Sequence, residues 1–478
     1  MTTPLESPVR EQSQGEVTAR QVGDRLQDQR DTGRGGPAPG GLREVSVLAY
    51  PVILTQLSMT TMGVVDSAMV GRLGATELAA VGFGGVWMWT TFCAFVGAST
   101  GVQTFVAQHH GAGELQKCGA WTWQGAWVLV PLCAVAAALL ITFIDPLLAF
   151  LAPSPALQPL AASYMSIRAV GSVGLCLATI FAAFFRGIGD TRTPLYVTLL
   201  ANAINVVLDY GLIFGRLGLP EWGIAGAATA TAVAEWTQAG VLMACLLRSG
   251  LRERFATAPA RPDATAQRRL LRMGLPIGGQ WVLEMASFAL FLTMVARMGD
   301  ASMAASQAFI ALLSMSFMQA VGIGIAVSTL VGQYIGARDL GSAARSFASA
   351  QKLTAVLSGT IALLFILVPD RLIGIFSDDP EVLALGRPLL LVGAAFQLFD
   401  AFGIVTDGAL RGAGDTRIPF LVRFCLAWGL FVPLAWWLGI HLGGGLTAAW
   451  IGGAIYVLVL TSYLLARFRS GAWQRIQI

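Results

Sequence analysis

Runs of about twenty or more apolar residues, each long enough to cross a bilayer as a helix, recur about twelve times between short polar segments. They cover 45–70, 78–106, 120–144, 157–185, 194–215 and 222–247, then 270–296, 302–331, 348–368, 382–410, 419–439 and 444–466. Twelve crossings put both chain ends on one side of the membrane. The positive residues choose that side. Segments joining runs 2–3, 4–5, 6–7, 8–9 and 10–11 carry Lys117, Arg186, Arg192, Arg252, Arg254, Arg338, Arg411 and Arg417, whereas the opposite loops carry Arg72, Arg216, Arg297 and Arg371. Positive charge stays inside, so both termini are expected in the cytoplasm of a multi-pass plasma (inner) membrane protein.

The pattern repeats at one fixed offset. Arg186-Gly187-Ile188-Gly189-Asp190-Thr191-Arg192 returns as Arg411-Gly412-Ala413-Gly414-Asp415-Thr416-Arg417, a shift of 225 residues (411 − 186). The same shift carries Pro51 onto Pro276, Gly74 onto Gly299, Gln108 onto Gln333 and Gly111 onto Gly336. Because this loop falls on the same side in both halves, each half holds an even number of crossings, and six each fits the count. The expected fold is all-α and integral to the membrane, with two six-helix bundles related by a pseudo-twofold along the membrane normal. The expected divisions are a disordered cytoplasmic tail over 1–41, a bundle over 42–248, a linker over 249–269, a second bundle over 270–466 and a short cytoplasmic tail over 467–478.

Composition adds exclusions. Hydrophobic residues are 55% of the chain and charged ones 12%, about half the charged share of soluble domains, so this is no soluble enzyme. The arginines are scattered among loops, which excludes a nucleic-acid surface. Residues 1–41 are polar and charged, too poor in apolar side chains to offset chain entropy, and without the apolar stretch of a signal peptide. The six cysteines lack metal-ligand spacing and read as buried and reduced. Trp121, Trp123, Trp222 and Trp473 read as interfacial anchors.

The acids inside the spans carry the chemistry. An ionisable group in hydrocarbon costs at least a few kcal/mol, so each needs a reason to be there. Asp66, Asp209, Glu235, Glu284, Asp400 and Asp407 all fall within apolar runs. Asp66 and Asp209 each lie fifteen residues past a proline near the start of a run, Pro51 and Pro194, hence at matching depth. Asn202, Asn205 and Asp209 share one face of the fifth helix, a set of oxygens suited to Na⁺ or a proton. Thr229 and Thr231 on the sixth helix come to a similar level. Glu235 reads as paired or channel-facing structure, and Asp407, four residues from Arg411, as interfacial. Shifted by 225, Asp66 meets Phe291, Asp209 meets Leu434, Glu284 meets Met59 and Asp400 meets Leu175. The scaffold is duplicated and the acids are not, so they read as sites acquired separately by each half.

From residue 44 onward the chain resembles the MATE (multidrug and toxic compound extrusion) transporters. The stretch Pro51-Val52-Ile53-Leu54 through Gly63-Val64-Val65-Asp66 is similar to that family's first helix, whose aspartate takes part in ion coupling. Gly274-Leu275-Pro276 through Glu284, and Gln397-Leu398-Phe399-Asp400, are similar to the seventh and tenth helices of the NorM branch, where both acids are implicated. Asn205-Val206-Val207-Leu208-Asp209 is similar to the fifth-helix pair of the DinF branch, so the signature is mixed.

The resemblance implies a secondary antiporter that exports organic, cationic amphipathic compounds in exchange for H⁺ or Na⁺ by alternating access. Asp66, Asn205, Asp209, Glu284 and Asp400 would carry ion coupling and substrate contact, with Asn202, Thr231 and Asp407 as secondary candidates. Any Na⁺ would sit at Asp66, Asn205 and Asp209. No cofactor is implied. The expected partners are small organic substrates and the lipid bilayer, and the expected state is a monomer. One rival is a lipid-linked oligosaccharide flippase of the same superfamily, which would need basic residues such as Arg168 and Arg423 at the midplane, though both read as interfacial. A membrane-embedded enzyme is the other, but His109, His110 and His441 all fall in loops.

Overall fold

The computed structural model describes residues 38–151, 154–376 and 379–476, and the tail expected over 1–41 lies outside them up to residue 37. The described residues form helices joined by short turns, with no strand among them. The first half contributes α1 (Leu42–Val70), α2 (Ala75–Gly111), α3 (Leu115–Thr142), α4 (Leu157–Gly187), α5 (Arg192–Phe214) and α6 (Gly223–Leu246). The second contributes α7 (Ala264–Ala296), α8 (Asp300–Gly336), α9 (Leu340–Leu367), α10 (Pro380–Gly412), α11 (Arg417–His441) and α12 (Gly445–Arg469). Eleven of these are long and apolar enough to span a membrane alone; α6 qualifies together with the short helix Ser249–Phe255, which follows a 68° bend.

Helix ends follow local chemistry. Expected from residue 270, α7 instead begins at Ala264, because Asp263 caps it by accepting the Thr265 backbone N–H at 2.9 Å. Asp190 caps α5 in the same way, accepting from Arg192 N at 3.1 Å and Thr193 N at 3.0 Å. The preceding turn needs a left-handed residue, and both copies supply glycine: Gly189 has φ +89° and Gly414 φ +86°. The duplicated aspartate is used differently in the second half, where Asp415 accepts from Arg467 Nε at 2.6 Å. Helix α11 is also less regular than α5. Its π-helical stretches, Ala427–Phe431 and Trp437–His441, flank a segment containing Pro433, whose missing N–H interrupts the regular ladder.

Packing repeats with the sequence. In each half the second helix lies against the fourth, the fourth against the sixth, and the third against the fourth. The result is two six-helix bundles of one design. The starts of α1 and α7 are exchanged between them. Val45 and Ala49 of α1 are buried with Ile323 and Val327 of α8, while Leu270 and Met273 of α7 are buried with Val102 of α2. A Cβ on Gly274 would come within 2.9 Å of the Ala98 carbonyl, so the α2–α7 approach depends on glycine there.

Two of the four tryptophans expected at the interface are buried instead. Trp123 donates to the Thr257 carbonyl at 2.9 Å and, with Gln124 and Trp127, fastens the segment after Ser249–Phe255 onto α3. Trp473 folds back on Phe468, donating to its carbonyl at 2.8 Å.

Candidate functional site

In the first bundle, α1, α4, α5 and α6 bring polar groups together between otherwise apolar walls. Asp209 is fully buried and accepts from Asn205 Nδ2 at 2.9 Å, one turn earlier on α5. The Asp66 carboxyl, from α1, lies within hydrogen-bonding reach of Asp209. Asp66 Oδ1 and Asp209 Oδ1 are both buried without a hydrogen-bond donor. The matching depth read from the two prolines is therefore realised. Helix α1 starts at Leu42, nine residues before Pro51, and Asp66 stands near its far end.

Beside this pair, Arg168 of α4 donates to Glu235 of α6 at 2.8 Å. Glu235 is paired. Arg168 is enclosed in the bundle, close to Tyr164 and Asp66. Glu235 and Asp66 thus share one guanidinium, and Asp209 faces Asp66 and Asn205 instead.

The secondary candidates separate. Asn202 shares the face of Asn205 but turns to α1, donating to Ser58 Oγ at 2.7 Å and the Ser58 carbonyl at 3.2 Å. It fastens α5 to α1. Thr229 and Thr231 both donate to carbonyls of their own helix, Ala225 at 2.7 Å and Ala227 at 3.0 Å, and no hydrogen bond brings either to the acid pair.

The same place in the second bundle is filled with rings. Phe291 occupies the position of Asp66, Phe309 that of Gly84, Phe396 that of Gly171 and Trp450 that of Ala225. They pack edge to face, with centroid distances to Trp450 of 4.8 Å for Phe291, 4.7 Å for Phe309 and 5.9 Å for Phe396. The second bundle's acids lie elsewhere. Glu284 is ion-paired with Arg423, and the buried Asp407 is ion-paired with Arg411. Asp407 is buried and lies five residues before the end of α10, and Arg423 Nη2 stands 3.8 Å from its Oδ2. No ion pair or side-chain hydrogen bond engages Asp400 among the described residues. Among those residues no group of three or more His, Cys, Asp or Glu is placed to hold a metal ion.

The bundles meet at the end that carries the duplicated loops, through hydrogen bonds that obey the offset of 225. Gln108 Nε2 donates to the Gly412 carbonyl at 3.0 Å, and Gln333 Nε2 to the Gly187 carbonyl at 2.8 Å. Thr104 Oγ1 donates to the Arg411 carbonyl at 3.0 Å, and Thr329 Oγ1 to the Arg186 carbonyl at 3.1 Å. Gln103 adds an unduplicated bond, donating to Thr329 Oγ1 at 2.9 Å while accepting from Arg186 Nε at 3.1 Å. Of this seam, sequence reading isolated the Gln108–Gln333 duplication without assigning it a role. Thr104 and Thr329 carry the same offset, and that was the available signal.

Two matched bundles of six long helices among the described residues, with acids buried between them, have the architecture of a membrane transporter. The MatE family profile matches residues 51–211 and 276–437, once in each half. The chain is 32% identical over 425 residues to "Multidrug resistance protein NorM" of Burkholderia vietnamiensis, covering 87% of this chain and 92% of that one. It is 29% identical over 441 residues to "Probable multidrug resistance protein NorM" of Thermotoga maritima, covering 91% and 93%. Among solved structures, the eukaryotic MATE transporter AtDTX14 superposes with a TM-score of 0.80 at 22% identity, covering 91% of this chain and 96% of that chain. A MATE structure in the straight conformation gives 0.82 at 19% identity, covering 91% and 97%. The chain belongs to the MATE family and is a transporter, not an enzyme.

Proposed function

We propose that this chain is a secondary antiporter of the multidrug-efflux type, exporting organic cationic amphipathic compounds in exchange for H⁺ or Na⁺. The observation that carries the reading is the Asp66–Asp209 pair, two facing carboxyls whose buried Oδ1 atoms lack a donor. Two such groups cannot both stay ionised at contact without a proton or a cation between them. Asn205 adds a neutral amide that holds Asp209 in place. Asp66, Asn205 and Asp209 are accordingly the ion-exchange site, where ion and cargo each favour a different packing of the helices around α1 and α5. Asp400, an acid of the second bundle without an ion pair, is the companion contact for a cationic cargo.

The seam supports alternating access. The positive-inside bias puts the duplicated loops in the cytoplasm of an inner-membrane protein, so the bonds of Gln108, Gln333, Thr104 and Thr329 close the cytoplasmic entrance in this state. Breaking them would open the other state. The flippase reading gains nothing from Arg168 and Arg423, since each guanidinium is engaged by a carboxylate.

The test is efflux of a fluorescent organic cation from proteoliposomes, driven by a pH gradient or a Na⁺ gradient in turn. One gradient should drive wild type, and Asp66→Asn should lose that drive while remaining folded. Efflux by Asp66→Asn at the wild-type rate would remove Asp66 from the mechanism.

A further inference from the structure

Two acids of the second bundle, unlike the Asp66–Asp209 pair of the first, are neutralised by guanidiniums of their own bundle. Glu284 of α7 is ion-paired with Arg423 of α11. Arg423 Nη2 also stands 3.8 Å from Asp407 Oδ2 of α10, and Asp407 is ion-paired with Arg411 one turn along its own helix. Arg411 Nη2 reaches Gln280 Oε1 at 3.4 Å, one turn before Glu284 on α7. The charges therefore alternate in a row, Glu284, Arg423, Asp407, Arg411, across three helices. Two acids and two guanidiniums leave no net charge.

The row is not inherited from the duplicated scaffold. At an offset of 225, Glu284 corresponds to Met59, Asp407 to Ala182 and Arg423 to Thr198; Arg411 alone has a like counterpart, in Arg186. Three residues that could each be apolar have instead become ionic together, which is intelligible if they work as a set. Arg423 is the member between the two acids. Its side chain is 11% exposed, and it comes from a different helix than either acid.

We infer that Arg423 is a tethered cation: its guanidinium holds the place between Glu284 and Asp407 that a free monovalent cation would otherwise take. An arginine stays charged at every pH the protein meets, so this seat is not emptied by deprotonation. The second bundle is then blind to Na⁺ and K⁺ at these two acids. That statement stands on the row alone. The corollary, that ion exchange is left to Asp66 and Asp209, rests on the function proposed above.

Removing the tether should reveal the seat. Thermal unfolding of the purified full-length protein at pH 8 is followed while choline is replaced by Na⁺ at constant ionic strength. Wild type and Asp66→Asn/Asp209→Asn are both compared, so that any Na⁺ response of the first bundle is subtracted. In the Asp66→Asn/Asp209→Asn background, Arg423→Gln should gain a saturable Na⁺-dependent rise in melting temperature of several degrees, because a ligand that binds only the folded state stabilises it. Adding Glu284→Gln should abolish the rise, and Arg423→Lys, which keeps a cation, should not show it. A purely structural ion pair would lose stability without acquiring a Na⁺ response. No saturable rise with Arg423→Gln, or a rise in the Arg423 parent that Glu284→Gln removes, overturns the assignment. If Arg423→Gln does not fold, Glu284→Ala carries the test: its guanidinium, left with Asp407 alone, should gain a formate-dependent rise that the parent lacks, and absence of that rise also overturns it. Neither readout depends on transport, so failure of Asp66→Asn to lose efflux leaves this result untouched.

Discussion

Replacing Gln108 and Gln333 together with alanine removes two matched bonds from the seam between the bundles, the donations to the Gly412 and Gly187 carbonyls at 3.0 Å and 2.8 Å. Each neutral hydrogen bond contributes about 0.5–1.5 kcal/mol net, because in the open state water takes its place. The double substitution should therefore favour opening at this end by about 1–3 kcal/mol, which is about 5- to 140-fold in the open-to-closed ratio. The bonds of Thr104 and Thr329 remain, so closure is weakened rather than abolished. Spin labels on Gln116 and Gly341, exposed residues one offset of 225 apart at the starts of α3 and α9, report the separation of the two halves. Double electron–electron resonance in nanodiscs should show a longer-distance population growing at the expense of the shorter one. Because the contacts are two-fold related, each single substitution should give about half the free-energy effect. An unchanged distance distribution in a folded double variant would refute the seam as a determinant of the state.

Trp450→Ala removes the ring against which Phe291, Phe309 and Phe396 pack, and should cost about 3–5 kcal/mol of stability, read as a lowered melting temperature. Asn202→Leu and Asn205→Leu should part company although the residues lie three apart on α5. The first loses two bonds to Ser58, about 1–3 kcal/mol of stability, and keeps its ion-driven efflux; the second loses the support of Asp209 and with it the coupling, both read in the same proteoliposome assay.

The architecture was legible because the membrane leaves few options. Backbone groups in hydrocarbon must be satisfied within the segment, so an apolar run of sufficient length is a helix, and its ends need only be located. At α7 a side chain moved the end, Asp263 starting the helix before the apolar run itself begins. The Asp66–Asp209 meeting was legible for a related reason: equal distances from two prolines on helices that share a direction fix equal heights. Height, however, is not azimuth. Asn202 and Asn205 share a helix face by spacing, yet one engages Ser58 and the other Asp209. Nothing in the spacing of α5 says which neighbour stands at each level.

By itself, the sequence determined the number of crossings, the duplication, and the fact that the acids are not duplicated, because hydrophobic length and a fixed offset are properties of the chain alone. Tertiary structure decided which charges are compensated. Arg168 meets Glu235 across 67 positions and Arg423 meets Glu284 across 139, distances that no local rule connects. Apolar neighbours along the chain marked Asp66 and Glu284 as equally costly, and only the packing of α7 against α11 set a guanidinium on Glu284 while leaving Asp66 against a second acid. An ionic cost is fixed by what stands within a few ångströms in space, and helices bring that company from remote parts of the sequence.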